Sequence, residues 1–122
     1  MINIGKATTK VHVEVGATDL RKGFEGLQGE IRNRKGMDPS SGHLFVFSNR
    51  GKSRIKILYF DGSGMWVSSK RLEKGRFDWP EAIEAEAKIL MNLTELLALV
   101  DGLQLHQTRA KAWWRKKVSE AA

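Results

Sequence analysis

Apolar and polar residues alternate at residues 10–15, Lys-Val-His-Val-Glu-Val. A period of two matches a half-buried strand, with Val11, Val13 and Val15 on the inward face. Gly16 ends the alternation, and Thr18 or Asp19 can cap a following helix by accepting an orphan backbone N–H. Leu20, Phe24, Leu27 and Ile31 then recur at helical spacing and form one apolar stripe. Arg21, Lys22, Glu25, Arg32 and Lys35 lie off it. Gly23, Gly26 and Gly29 each cost about 1 kcal/mol of helix propensity against alanine, a cost that suits close backbone packing. Gly36 closes the helix, and Asp38-Pro39-Ser40-Ser41-Gly42 is turn chemistry.

Three strands follow, at residues 43–48, 54–60 and 65–71. Ile55, Ile57 and Tyr59 share one face of the middle strand. Lys56, Leu58 and Phe60 share the other, which is therefore not wholly polar. Asn49-Arg50-Gly51-Lys52 and Asp61-Gly62-Ser63-Gly64 are the turns between strands, because Asn, Asp and Gly tolerate the positive φ of tight hairpins. Phe77 and Trp79 are expected to fold back on the sheet. Residues 81–91 suit a helix by composition, while 87–91 also suit a short strand, and the pattern leaves both open. Asn92 followed by Glu95 is a capping-box signature. Leu93, Leu96, Leu97 and Val100 make a short apolar helix face, with Gly102 as its stop. The expected fold is α+β: an antiparallel meander of three or more strands, an N-terminal strand and helix, and a C-terminal helix. Residues 1–105 form one domain, and 106–122 form a basic tail that can be helical.

Composition narrows the class. The chain has 122 residues, which fits one domain, and no cysteine. Disulfides, thiolate metal sites and a cysteine nucleophile are excluded. No apolar run reaches the roughly 20 residues of a membrane helix. Lys6 and Lys10 interrupt the stretch after Met1, so no signal peptide is expected. The expected location is the cytoplasm.

The net charge is +7, which favours a polyanionic partner, with nucleic acid the first candidate. The charge is unevenly placed. Residues 50–76 carry eight bases (Arg50, Lys52, Arg54, Lys56, Lys70, Arg71, Lys74, Arg76) against Asp61 and Glu73. Residues 77–105 carry Lys88 against six acids, and 106–122 carry five bases against Glu120. The acidic stretch either faces a separate partner or docks on the basic segments within the fold. Arg54 and Lys56 share one face of a strand, Arg50 and Lys52 sit at the turn beside them, and Lys70, Arg71, Lys74 and Arg76 follow one strand later. These eight residues are the candidate nucleic-acid contacts, a ridge able to neutralise several phosphates.

Other chemistry is weaker. His12, His43 and His106 are far apart in sequence and are expected to be structural. There is no phosphate loop and no nucleophile elbow. Asp19, Asp38 and Asp61 are the acids a metal-dependent nuclease would need, yet each sits at a cap or turn, where Asp is common for backbone reasons. No cofactor, metal or catalytic residue is expected.

Four stretches together resemble a known family. They are Asp19-Leu20-Arg21-Lys22-Gly23-Phe24-Glu25-Gly26-Leu27, then Asp38-Pro39-Ser40-Ser41-Gly42-His43-Leu44-Phe45-Val46-Phe47, then Arg54-Ile55-Lys56-Ile57-Leu58-Tyr59-Phe60-Asp61-Gly62. Lys70-Arg71-Leu72-Glu73-Lys74-Gly75-Arg76-Phe77 with Trp79-Pro80 completes the set. In order and spacing they resemble the TnpB accessory proteins of bacterial insertion sequences of the IS66 group, which are distinct from the RNA-guided nucleases of the same name. Two positions depart from the family pattern: Ser48 where a basic residue is usual, and Ser68-Ser69 where bulky aromatics are usual. The resemblance implies a non-enzymatic protein that supports transposition beside a separate transposase, with DNA as the expected partner. An adaptor that grips the transposase through the 93–100 helix and the Trp113-Trp114 tail is the alternative.

Overall fold

The computed structural model describes residues 9–80 and 89–102. Five strands form one mixed sheet in the order β4-β3-β2-β1-β5. They are β1 (Val11–Ala17), β2 (Leu44–Ser48), β3 (Arg54–Phe60), β4 (Met65–Arg71) and β5 (Ile89–Met91). The expected antiparallel meander is β2-β3-β4, and the α+β class holds. The central pair β1–β2 is parallel, with Val11 beside Leu44 and Val13 beside Val46. A parallel pair needs a long crossover, here the segment carrying helix α1 (Phe24–Gly29) and a π-helical turn at Glu30–Arg34. Of the stretch left open between helix and strand, Ile89–Met91 is a strand, antiparallel to β1. The acidic residues Glu81, Glu84 and Glu86, and the basic tail with Trp113-Trp114, lie outside the described residues.

Both faces of the sheet are covered, which explains why β2 is buried at all five positions. On one face Val11, Val13, Leu44, Val46, Ile55 and Ile57 pack under α2 (Leu93–Val100) and under Phe77 and Trp79. On the other, Phe45, Phe47 and Leu58 pack under Leu27 and Ile31. Trp79 is fixed by its indole N–H, which donates to the Glu14 carbonyl at 3.0 Å.

Three expectations change in detail. The first helix does not start from a Thr18 or Asp19 cap. Asp19 turns its carboxylate to the backbone N–H and guanidinium of Arg21, and Thr18 is buried while its N–H bonds the Ser48 carbonyl. The helix begins after extended Gly23, so Phe24 is half exposed while Leu27 and Ile31 carry the stripe. Strand β1 continues past Gly16 to Ala17, with a register shift after Val13. The buried face of α2 is Leu96 with Leu99, and Leu97 points to solvent at 59% exposure. The capping box is present: the Asn92 side chain accepts from the Glu95 N–H at 2.8 Å, and Glu95 accepts from the Asn92 N–H at 2.9 Å. Gly102 follows the helix at φ +76°, a left-handed stop that suits glycine.

Candidate nucleic-acid interface

The β3–β4 ladder decides which cations meet. Arg54 lies opposite Arg71, and Ile55 lies opposite Lys70. The next step of the ladder is the hydrogen bond from Leu72 N–H to the Ser53 carbonyl. Bonded and non-bonded pairs alternate, so Arg54–Arg71 is a non-bonded pair, the kind whose Cα atoms approach to about 4.5 Å. Arg54 shares its face with Leu58, and Arg71 shares its face with Val67; both leucine and valine pack toward α1. Two arginine side chains therefore leave neighbouring strands from directly opposed positions on one face at the end of the sheet. Like charges directly opposite one another destabilise a ladder by a few tenths of a kcal/mol.

The flanking turns add cations at the same end. The Phe77 N–H bonds the Lys52 carbonyl at 2.7 Å, which folds residues 72–77 against the 49–53 turn. Arg50, Lys74 and Arg76 are exposed on these two segments. Among the described residues, Arg50, Arg54, Lys74 and Arg76 have no carboxylate within ion-pair distance. Arg71 has, among the described residues, only Glu73, at 3.9 Å and largely solvated.

The remaining three candidates are engaged inside the fold. Lys52 donates to the Ser48 hydroxyl at 2.9 Å and to the Val15 carbonyl at 3.3 Å, and its ammonium sits 5.4 Å from the Trp79 ring centre. It does so from a left-handed backbone, φ +58°. Burial pushes its amine below the usual lysine range, partly opposed by Glu14. Lys56 donates to the Lys22 carbonyl at 3.1 Å. Lys70 turns to the opposite face from Arg71 and donates to the Val100 carbonyl at 2.7 Å, closing the C-terminal end of α2. A lysine in a Gly-Lys-Ser turn reads as solvated, and no sequence signal marks Lys52 as a tether.

The carboxylates a nuclease would need are separate and already used. Asp61 accepts from the Trp66 indole, the Ser63 and Gly64 N–H groups and the Ser63 hydroxyl, which hold it far below the usual carboxylate range. Asp19 is held at about 2, chiefly by the Arg21 guanidinium. Asp38 is lowered by the Ser40 N–H and hydroxyl. Among the described residues no three His, Cys, Asp or Glu side chains cluster for a metal ion.

The parallel β1–β2 pair does bring His12 and His43 together, with ring centres 5.8 Å apart. His43 Nδ1 accepts the Lys10 N–H at 3.0 Å, which places any single ring proton on Nε2. His12 stacks on Phe45. A hollow of about 270 Å³ lies beside them, lined by Lys10, Met37, Asp38 and Ser41. The bond from Lys10 lets His43 join the start of β1 to the start of β2. The adaptor surface fares differently: Leu93, Leu96 and Val100 pack toward the core, leaving Leu97 as the exposed member of that face.

The geometry thus defines a small α+β protein with one doubly covered sheet and a cationic end. The chain belongs to the IS66 Orf2-like family, whose model matches residues 9–110. This family is associated with insertion-sequence transposition. Two Sinorhizobium fredii proteins are similar: the uncharacterized protein y4hO is 35% identical over 109 residues, covering 89% of this chain and 92% of that one. The uncharacterized protein y4jC is 32% identical over 102 residues, covering 84% and 86%. No solved structure matches the chain. Among the described residues no helix is long and apolar enough to cross a membrane.

Proposed function

We propose that this protein is a non-enzymatic accessory of transposition that binds DNA phosphates through the cationic end of its sheet. The supporting observation is the directly opposed Arg54–Arg71 pair, joined by Arg50, Lys74 and Arg76 and not neutralised by described carboxylates. A fold that holds like charges together gains when an anion enters between them, and guanidinium groups suit phosphate oxygens in bidentate fashion. The contacts are to the backbone of the nucleic acid, so sequence preference is modest. The element's transposase supplies the chemistry and is the second partner. The protein acts in the cytoplasm.

Each neutralised phosphate contributes about −0.9 to the slope of log affinity against log salt. Five available cations give a slope of about −4.5, whereas all eight would give about −7. The test is titration of labelled element-end and scrambled duplexes at several salt concentrations. Replacing Arg54 and Arg71 together with Gln is expected to reduce the slope by about 1.8 while leaving the fold intact. Salt-independent binding, or an unchanged slope in the double variant, refutes the assignment.

A further inference from the structure

We propose that the outer edge of β4 is a homodimerisation surface, pairing antiparallel with the same edge of a second copy. Among the described residues β4 is paired only with β3, through seven consecutive in-register positions without a bulge. Its edge carries no proline. Such an edge is a template for another strand. The hairpin bond from Asp61 N–H to the Gly64 carbonyl, and the Leu72 to Ser53 bond at the other end, fix the phase of the ladder. Trp66, Ser68 and Lys70 turn their backbone groups to β3. Met65, Val67, Ser69 and Arg71 turn theirs outward.

Only outward residues can bond across the new seam, which restricts the register. A two-fold axis at Val67 places Met65 against Ser69 of the second copy, and Trp66 against its Ser68. Trp66 is exposed at 41%, and the small Ser68 leaves room for the ring. Arg71 then lies opposite Ser63 in the second copy's 61–64 hairpin, two residues from its ionised Asp61 carboxylate. Like-charged strand ends are kept apart: the two Arg71 residues stand eight positions apart along the seam, about 27 Å. An axis at Ser69 would instead crowd the four cations near the centre, and a parallel pairing would set them opposite one another.

The chain has no cysteine, so one substitution reports the seam. Val67→Cys puts its thiol opposite its own symmetry copy, within the Cα range a disulfide spans. The full chain is measured by sedimentation in high salt, where phosphate-mediated association is lost and strand pairing is retained. The expected mass is twice 13.8 kDa. Val67→Cys is expected to give a disulfide-linked dimer on mild oxidation much faster than Ser40→Cys, on an exposed turn elsewhere. Ser69→Pro removes an outward N–H without touching the β3 ladder and is expected to give a folded monomer. A monomer mass at all concentrations, or Val67→Cys linking no faster than Ser40→Cys, overturns the proposal. These outcomes are independent of DNA binding, because the Arg54→Gln, Arg71→Gln protein reads that function separately.

Discussion

Lys52 and Arg54 are two residues apart in sequence, carry the same charge and face opposite fates, so substituting each separates structure from binding. Lys52→Met keeps an apolar stem over Trp79 but removes the ammonium that bonds the Ser48 hydroxyl and the Val15 carbonyl. Ser48 is fully buried, so its hydroxyl loses a partner that water cannot readily replace. An orphaned buried polar group costs about 1–3 kcal/mol, and the lost cation–π contact about 0.5–1 kcal/mol. Against this stands relief of the desolvation that depresses the Lys52 amine. The balance is a loss of about 2 kcal/mol. For a domain of this size that lowers the melting temperature by about 6–12 °C. The salt slope of DNA binding should stay unchanged, because the ammonium is already committed. Arg54→Gln should do the reverse: it relieves repulsion from Arg71, leaves the melting temperature level or slightly raised, and removes about 0.9 from the slope. The assay is thermal denaturation by circular dichroism beside salt-dependent titration on the same preparations. A Lys52→Met protein that melts within about 2 °C of the parent and loses about 0.9 of slope would make Lys52 a phosphate contact and refute the tether.

Three further outcomes are expected. Leu96→Ala should cost about 2–5 kcal/mol in urea denaturation, because the residue is buried between α2 and the sheet, whereas Leu97→Ser should stay within about 0.5 kcal/mol. Asn92→Ala breaks both arms of the capping box and should cost about 1 kcal/mol by the same measurement. The carboxyls of Asp19, Glu30, Asp38 and Asp61 are all depressed in the fold. A depressed carboxyl stabilises the fold above its unfolded value and loses that contribution as pH falls through its folded value. The melting temperature should therefore hold from neutral pH to about 4.5 and fall between about 4 and 2. Asp61→Asn should make that fall shallower, which a pH series of melting curves measures.

Strand positions were legible because their signals are local. Alternation in β1, and the Asn-Arg-Gly and Asp-Gly turns flanking β3, depend on residues a few places apart, and β3 and β4 fall where the pattern puts them. The first helix was less legible. Its stripe is real at Leu27 and Ile31, but three glycines weaken any intrinsic start, and Asp19 found a nearer partner in Arg21 than in a helix N-terminus. The parallel pairing of β1 with β2 had no local signal, since alternation says which face is buried and nothing about the neighbour. That pairing is what brings His12 beside His43 across thirty-one positions.

The cationic site was half legible for the same reason. Counting bases located where these cations gather, because a hairpin necessarily returns residues 70–76 toward 50–56. Counting could not tell an arginine that points outward from a lysine whose flexible stem reaches a carbonyl. Lys52, Lys56 and Lys70 each end on a backbone oxygen of another segment: Val15, Lys22 and Val100. Among the described residues the arginines of the cluster do not. Within the ridge these three lysines tie the 49–53 turn to β1, β3 to the segment before α1, and β4 to the end of α2, while Arg50, Arg54 and Arg76 meet no carboxylate among the described residues. Lysine offers a compact point charge on a long stem, suited to capping a single oxygen, while arginine presents a planar fork suited to phosphate. Arg54→Lys conserves charge and should still weaken DNA binding, by loss of the bidentate contact rather than of the slope. If the Arg54→Lys protein bound as tightly as the parent, point charge alone would be sufficient at that position.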